Sequence, residues 1–358
     1  MEDFFLTCPR GLEDITATQV SKYITNTPVV GKGGISFAGD MNDMYLTNLH
    51  SRTGMHLLKK ILSFESDDIE KIYSRLYEYD WGLILDASKT FLIKTKSNSK
   101  FFKNTNFVTL KIKDAIVDNI RMKEDKRPSI DKINPDVILF VIIHDNQIKI
   151  YIDSSGEPLF KRGYRTKIHK AALNESLAAG IIYLSNWDRK SSLYDIMCGS
   201  GTIPIESAMM AYNIPPGIFR GKYAFQKWDH FDNRLWNTIV IEAREKILHK
   251  RLKIFAYDNI AANIDLSKQN SRRILIHNYI RFKKAEICDF HPEEPGMIII
   301  NPPYGERLGV ENELDTLYQL MGDVLKKNCQ DSDAFIFSGN VELTKHIGLK
   351  PVNKYPLK

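Results

Sequence analysis

The chain has 358 residues, a hydrophobic fraction of 43% and a net charge of +6, enough for two or three domains with their own cores. That composition excludes a disordered chain, and the longest aliphatic and aromatic run, Val137 to Ile143, is far too short to span a bilayer as a helix. The acidic start Met1-Glu2-Asp3 argues against a signal peptide, and four scattered cysteines (Cys8, Cys198, Cys288, Cys329) without a CxxC pair argue against a disulfide framework or a zinc site, so a reducing cytoplasm is expected.

In chain order, Phe4-Phe5-Leu6-Thr7 reads as a strand, followed by a helix from about Leu12 to Ile24 with Leu12, Ile15, Val20, Tyr23 and Ile24 on one face. A strand at Ile35–Phe37, a helix near Met41–Leu49 and a strand through Met55–Phe64 come next. A second α+β unit is expected from about Asp67 to Asp153. It has a helix at Ile69–Tyr77, a strand at Phe91–Thr95 and an amphipathic helix at Asn106–Arg121. Strands at Val137–Ile143 and Gln147–Ile152, joined by His144-Asp145-Asn146, close it. Asp153-Ser154-Ser155-Gly156 marks a turn, and a helix over Ala171–Leu184 leads into parallel α/β. The expected strands there are Leu193–Ile196, Lys253–Tyr257, Ala285–Ile287, Met297–Ile300 and Ala334–Phe337.

Charge is unevenly placed. Residues 89–132 hold twelve Lys/Arg against five Asp/Glu, with Phe101, Phe102 and Phe107 among them. From Pro158 to Lys170 there are five basic residues (Lys161, Arg162, Arg165, Lys167, Lys170), no acidic ones, and Phe160 and Tyr164. Clustered basic and aromatic residues suit a nucleic-acid partner, with solvated surface as the plain alternative.

Asp195-Ile196-Met197-Cys198-Gly199-Ser200-Gly201-Thr202 follows the first strand of the α/β half. Its glycines let the backbone turn tightly and approach a ligand, and Pro204 suits the first turn of a helix. Asp258 ends the next expected strand, placed to accept both ribose hydroxyls of an adenosine; Asp289 ends the one after, near an adenine edge. The wide gap between Asp195 and Asp258 requires an insertion over residues 213–250. No Lys-Ser/Thr follows the glycines, which excludes a P-loop, and Pro204 stands where a dinucleotide fingerprint wants a third glycine.

Asn301-Pro302-Pro303-Tyr304 stops the apolar run Met297–Ile300. Two prolines stiffen the loop at the carboxyl end of a strand, where ligands bind in open α/β sheets. The Asn301 side-chain oxygen and the Pro302 carbonyl suit the two N–H groups of an exocyclic amine, and Tyr304 can stack on a flipped base. This logic serves guanine and adenine amines alike.

The chain resembles the bacterial THUMP-domain rRNA methyltransferases of RlmL type, which modify guanine N2 in large-subunit rRNA. The resemblance rests on Phe5-Leu6-Thr7-Cys8-Pro9-Arg10-Gly11-Leu12-Glu13-Asp14, Lys113-Asp114-Ala115-Ile116-Val117-Asp118, Asp153-Ser154-Ser155-Gly156-Glu157-Pro158-Leu159 and Lys161-Arg162-Gly163-Tyr164-Arg165. It continues through Cys198-Gly199-Ser200-Gly201-Thr202-Ile203, Asn301 to Gly309 (NPPYGERLG) and Ser338-Gly339-Asn340. It implies an α/β, Rossmann-like, S-adenosylmethionine-dependent methyltransferase domain over 191–358, with strand order 3-2-1-4-5-7-6. Before it come a ferredoxin-like region over 1–66, a THUMP RNA-binding domain over 67–156 and a basic linker with its helix over 157–190. The implied donor contacts are Asp195, Cys198, Gly199, Ser200, Gly201, Thr202, Asp258, Asp289 and the covering Leu173; the catalytic loop is Asn301, Pro302, Pro303 and Tyr304. The expected RNA contacts are Lys161, Arg162, Tyr164, Arg165, Lys111 and Lys113, with rRNA or a ribosomal precursor as partner and neither metal nor membrane. The sheet's C-terminal strand is expected to be missing before Lys358. An adenine-N6 methyltransferase acting on DNA or RNA and a non-catalytic RNA-binding assembly factor stay open as alternatives.

Overall fold

The computed structural model describes residues 1–165, 173–249, 251–304 and 311–357. Its first half runs β1 (Glu2–Thr7), α1 (Glu13–Val20), β2 (Val29–Gly31), β3 (Gly34–Gly39), α2 (Met41–His50) and β4 (His56–Glu65). It continues with α3 (Ile69–Tyr77), β5 (Thr90–Asn98), α4 (Thr105–Glu124), β6 (Ser129–Ile130), β7 (Val137–His144) and β8 (Gln147–Asp153). All eight strands form one sheet, ordered β2-β3-β1-β4-β8-β7-β5-β6. Strand β4 is the seam: it pairs antiparallel with β1 on one side and with β8 on the other. The ferredoxin-like and THUMP regions thus share a sheet and a core, which runs from Phe4 and Leu6 through Leu57 to Ile116 and Ile150. On α4, Ile112, Ile116 and Ile120 are buried one turn apart, and the Asn104 side chain caps the helix by accepting from Phe107 N at 3.1 Å.

The second half holds α5 (Glu175–Leu184), β9 (Ser192–Asp195), α6 (Thr202–Ala211), α7 (Asn233–Glu245), β10 (Ile254–Asp258) and α8 (Ala261–Arg273). Then come β11 (Ile280–Lys284), β12 (Gly296–Ile300), α9 (Glu311–Asn328), β13 (Asp333–Ile336) and α10 (Val341–Lys345). Among the described residues the strands form a five-stranded parallel sheet, β11-β10-β9-β12-β13. In chain order this is 3-2-1-4-5. The chain leaves β9 in one direction to build β10 and β11, then returns to place β12 on its other side. The carboxyl ends of β9 and β12 therefore border the crevice at the switch point.

Three expectations are corrected. The third strand is Ile280–Lys284, not Ala285–Ile287: Ile280 is buried while Arg281 and Lys283 are exposed, the alternation of an edge strand. The first helix ends at Val20, although Ile24 is still buried beyond it. The helix expected from Ala171 is described only from Glu175, and Ala171 lies outside the described residues.

The segment after α6 does not stay with the α/β half. Its Tyr223, Phe225, Trp228 and Trp236 belong to the core of the first half. The Tyr45 ring lies 4.8 Å from Phe225 and 5.7 Å from Trp236, and its hydroxyl accepts from Asp232 N at 3.0 Å. The two halves are bound together through this segment.

Candidate active site

Strands β9 and β10 each end in an aspartate, Asp195 and Asp258. The loop after β9 turns through Gly199 (φ +52°) and Gly201 (φ +82°), the left-handed region that favours glycine. The two glycines serve different ends. A Cβ on Gly201 would collide with Ser267 Oγ, so this glycine lets α8 approach the loop. A Cβ on Gly199 would meet nothing within 4 Å among the described residues, so this glycine borders open space. Gly199 N donates to Asp258 Oδ2 at 2.9 Å, and Asn270 Nδ2 donates to the Ser200 carbonyl at 2.9 Å. Thr202 opens α6 and is buried.

Asp258 also accepts from Ile260 N and Asn263 Nδ2, both at 3.0 Å. A carboxylate offers about four acceptor sites. Three are in use, which leaves room for one ribose hydroxyl rather than the two expected from the sequence. Asp195 is buried and accepts from Met197 N at 3.2 Å. Burial, joined by the charge of Asp258, pushes its carboxyl up to about 8 despite that hydrogen bond. Burial also raises the Cys198 thiol, which disfavours a nucleophilic thiolate there.

Asp289 does not end a strand. It closes a single 3-10 turn, Ile287–Asp289, five residues beyond the last residue of β11, and it is exposed. Leu173 is half-buried against the core of the parallel sheet, and its carbonyl accepts from Arg165 Nη2 at 2.7 Å.

The loop Asn301–Tyr304 leaves the carboxyl end of β12, which lies beside β9. Asn301 Oδ1 is buried and has no hydrogen-bond partner among the described residues. Leaving such an oxygen unpaired costs about 1–3 kcal/mol, and at this strand end it is available to accept a ligand N–H. Pro302 is buried, while Pro303 and Tyr304 are exposed. Tyr318 Oη donates to the Pro303 carbonyl at 3.3 Å and pairs with Ser338 Oγ at 2.9 Å. The Tyr304 ring, 44% exposed, rests against Gly339, where any Cβ would overlap it. Sequence reasoning quoted Ser338-Gly339-Asn340 without giving it a role, and it missed Tyr318 entirely. Gly305 to Gly309 lie outside the described residues.

The expected RNA contacts divide. Lys161 is exposed and pairs with Glu157; Lys111 and Lys113 are half-buried and pair with Glu70 and Asp114, each at 2.7 Å. Arg162 and Tyr164 are corrected: they are 1% and 0% exposed. Arg162 donates to the Leu159 carbonyl at 2.6 Å and to the Arg52 carbonyl, and its Nε lies 3.5 Å from Glu206. Tyr164 Oη donates to Glu206 at 3.2 Å. The Arg165 side chain, 9% exposed, reaches Thr202, Leu173 and Glu175. Their hydrogen bonds point inward: Arg162 joins the two halves through the Arg52 carbonyl, Tyr164 and Arg165 bond partners in the α/β half, and as placed they do not face RNA. Lys167 and Lys170 lie outside the described residues. No cluster of metal-ligating side chains occurs among the described residues, and no helix there is long and apolar enough to cross a membrane.

Known proteins resemble this chain along its whole length. Residues 162–358 match the RMKL-like methyltransferase domain, 66–153 the THUMP domain and 3–58 the RlmL ferredoxin-like domain. A Synechocystis protein named as a candidate RNA methyltransferase is 32% identical over 356 residues, 99% of this chain and 93% of that one. Ribosomal RNA large subunit methyltransferase K/L of Syntrophotalea carbinolica is 32% identical over 366 residues. The chain spans 51% of that relative's length. The crystal structure of a candidate methyltransferase complexed with SAH superposes with a TM-score of 0.90 at 27% identity, over 100% of this chain and 94% of that one. With matching domains across both halves, the chain belongs to the THUMP-containing, RMKL-like methyltransferase family.

Proposed function

We propose that the protein transfers a methyl group from S-adenosylmethionine to the exocyclic N2 amine of a guanine in large-subunit rRNA, in the cytoplasm. The observation that carries this reading is Asn301 Oδ1, a buried acceptor without a partner among the described residues, just beyond the carboxyl end of the strand that lies beside β9. The open space at Gly199 and the remaining acceptor site on Asp258 fit an adenosyl donor. A relative crystallised with SAH supports the same cofactor.

The bound donor supplies an electrophilic methyl on a sulfonium. The chain's own residues hold the acceptor. Asn301 Oδ1 and the Pro302 carbonyl accept the two N–H groups of the amine, which draws its lone pair out of conjugation and toward the donor side. Proline offers no competing N–H. Tyr304, backed by Gly339, stacks on the base once it has left the helix. Attack forms the N–C bond and breaks the S–C bond, and the amine proton, made acidic, leaves to water. The rate gain comes from orientation in a dry pocket. The THUMP domain and the K/L relatives support RNA as substrate; guanine N2 follows the RlmL resemblance.

The test is methyl incorporation from labelled S-adenosylmethionine into unmodified large-subunit rRNA and into duplex DNA. Label in the rRNA is expected, and label confined to DNA would overturn the reading.

A further inference from the structure

Helix α6 carries the glycine loop at its amino end, and three arginines, Arg52 and Arg162 buried and Arg165 partly so, hold it along its length. Arg165 Nη2 donates to Thr202 Oγ1 at the first residue. Arg162 and Tyr164 hold Glu206 in the middle. Arg52 Nη2 donates to the carbonyls of Met209 at 3.3 Å and Ile214 at 2.8 Å at the end. Thr202 and Glu206 are held through side chains one turn apart on the same helix stripe, whereas Arg52 reaches main-chain carbonyls at and beyond the last turn.

The last grip differs from the other two, because Arg52 belongs to the first half of the chain, just before β4. It is 8% exposed. Its backbone N donates to Gln19 on α1, and its carbonyl accepts from Arg162. The end of α6 is closed by Asn213 in the left-handed region, with Ile214 N donating to the Met209 carbonyl at 2.8 Å and Asn213 N to the Met210 carbonyl at 3.3 Å. The two carbonyls that Arg52 reaches thus belong to the helix terminus, where a cation also meets the negative end of the helix dipole. At the other terminus Gly201, φ +82°, leaves no slack, because α8 packs against it.

We propose that Arg52 is a positioning residue for methyl-donor binding, by which the RNA-binding half sets the placement of α6 and so of the glycine loop. This rests on the reading of that loop as the donor site. Arg52 touches neither donor nor acceptor; it acts through α6, coupling donor affinity to the integrity of the junction.

The test is calorimetric titration of S-adenosylhomocysteine into the full chain, as wild type, Arg52→Met and Arg52→Lys. The methionine variant removes the donors to both carbonyls while filling similar space; the lysine variant keeps the charge and a single donating nitrogen on a differently shaped side chain. Arg52→Met should raise Kd about fivefold or more with stoichiometry unchanged, and Arg52→Lys should raise it less. A merely structural role would lower the bound fraction and leave the Kd of the folded molecules at the wild-type value, and that result overturns the proposal. If Arg52→Met does not fold, Arg52→Lys decides it on the same criterion. Absence of binding by the wild type would instead sink the reading of the donor site.

Discussion

The backbone N–H of Gly199 donates to Asp258 Oδ2 across 2.9 Å, tying the loop after β9 to the end of β10. One carboxylate thereby shapes the loop and keeps an acceptor site for a ligand. Asp258→Asn keeps the size of the side chain but replaces one accepting oxygen with an amide nitrogen, so the charge and at least one of these hydrogen bonds are lost. Hydrogen bonds to charged groups are worth about 1.5–3 kcal/mol, so the affinity for S-adenosylhomocysteine should fall by roughly ten- to a hundredfold. Calorimetric titration checks this; unchanged affinity would mean that Asp258 serves only to hold the loop and the turn into α8.

The two glycines of the loop should fail differently. Gly201→Ala places a methyl against Ser267 Oγ in a backbone conformation that strains any L-residue, so it should lower Tm and donor affinity together. Gly199→Ala carries a conformational strain of about 1–2 kcal/mol but meets no described neighbour, so it should weaken donor binding with the smaller loss of Tm. Thermal unfolding with and without S-adenosylhomocysteine separates them.

Asp195 carries a pH signature. Its carboxyl is raised from 3.8 to about 8 in the folded protein. Between those values the unfolded chain has released a proton that the folded chain keeps. The contribution is fully present below the unfolded value and is lost as the pH rises toward the folded one. Asp195→Asn removes this dependence. In the donor-free protein, the Tm of the variant relative to wild type should therefore climb steadily between about pH 5 and pH 8. A difference that stays flat over that range would mean that Asp195 is ionised in the fold.

Asn301→Ala and Gly339→Ala probe the acceptor side alone. Removing the unpaired Asn301 oxygen should lower turnover on RNA by about a hundredfold or more. Gly339→Ala must displace the Tyr304 ring and should raise KM for RNA. Neither should move donor affinity by more than about twofold, since additivity holds for independent sites. A large loss of donor binding in Asn301→Ala would assign that residue to the donor pocket instead.

Much of the site was legible because its residues sit at strand ends within short stretches. Asp195, Asp258 and Asn301 each follow a compact apolar run, and the turn chemistry of Gly199, Gly201 and Pro302 is written locally. Asp289 was misplaced because Ala285–Ile287 looked more like a strand than the charged edge Ile280–Lys284, whose partner β10 lies on one side only. Strand β2, three exposed residues ending in Gly31, is too short to show a strand period. The Arg162 error has a different cause. A basic run reads as surface unless its carboxylate is known, and Glu206 lies 44 residues away. The shared sheet across β4 and the packing of Trp236 into the first half are likewise long-range choices, with no trace in local periodicity.

The central claim is the chemical identity of the methylated nucleoside. Large-subunit rRNA incubated with the protein and S-adenosylmethionine carrying a deuterated methyl should yield labelled N2-methylguanosine on nucleoside mass spectrometry, and Asn301→Ala should yield it about a hundredfold more slowly. Label in N6-methyladenosine with none in N2-methylguanosine would contradict the account.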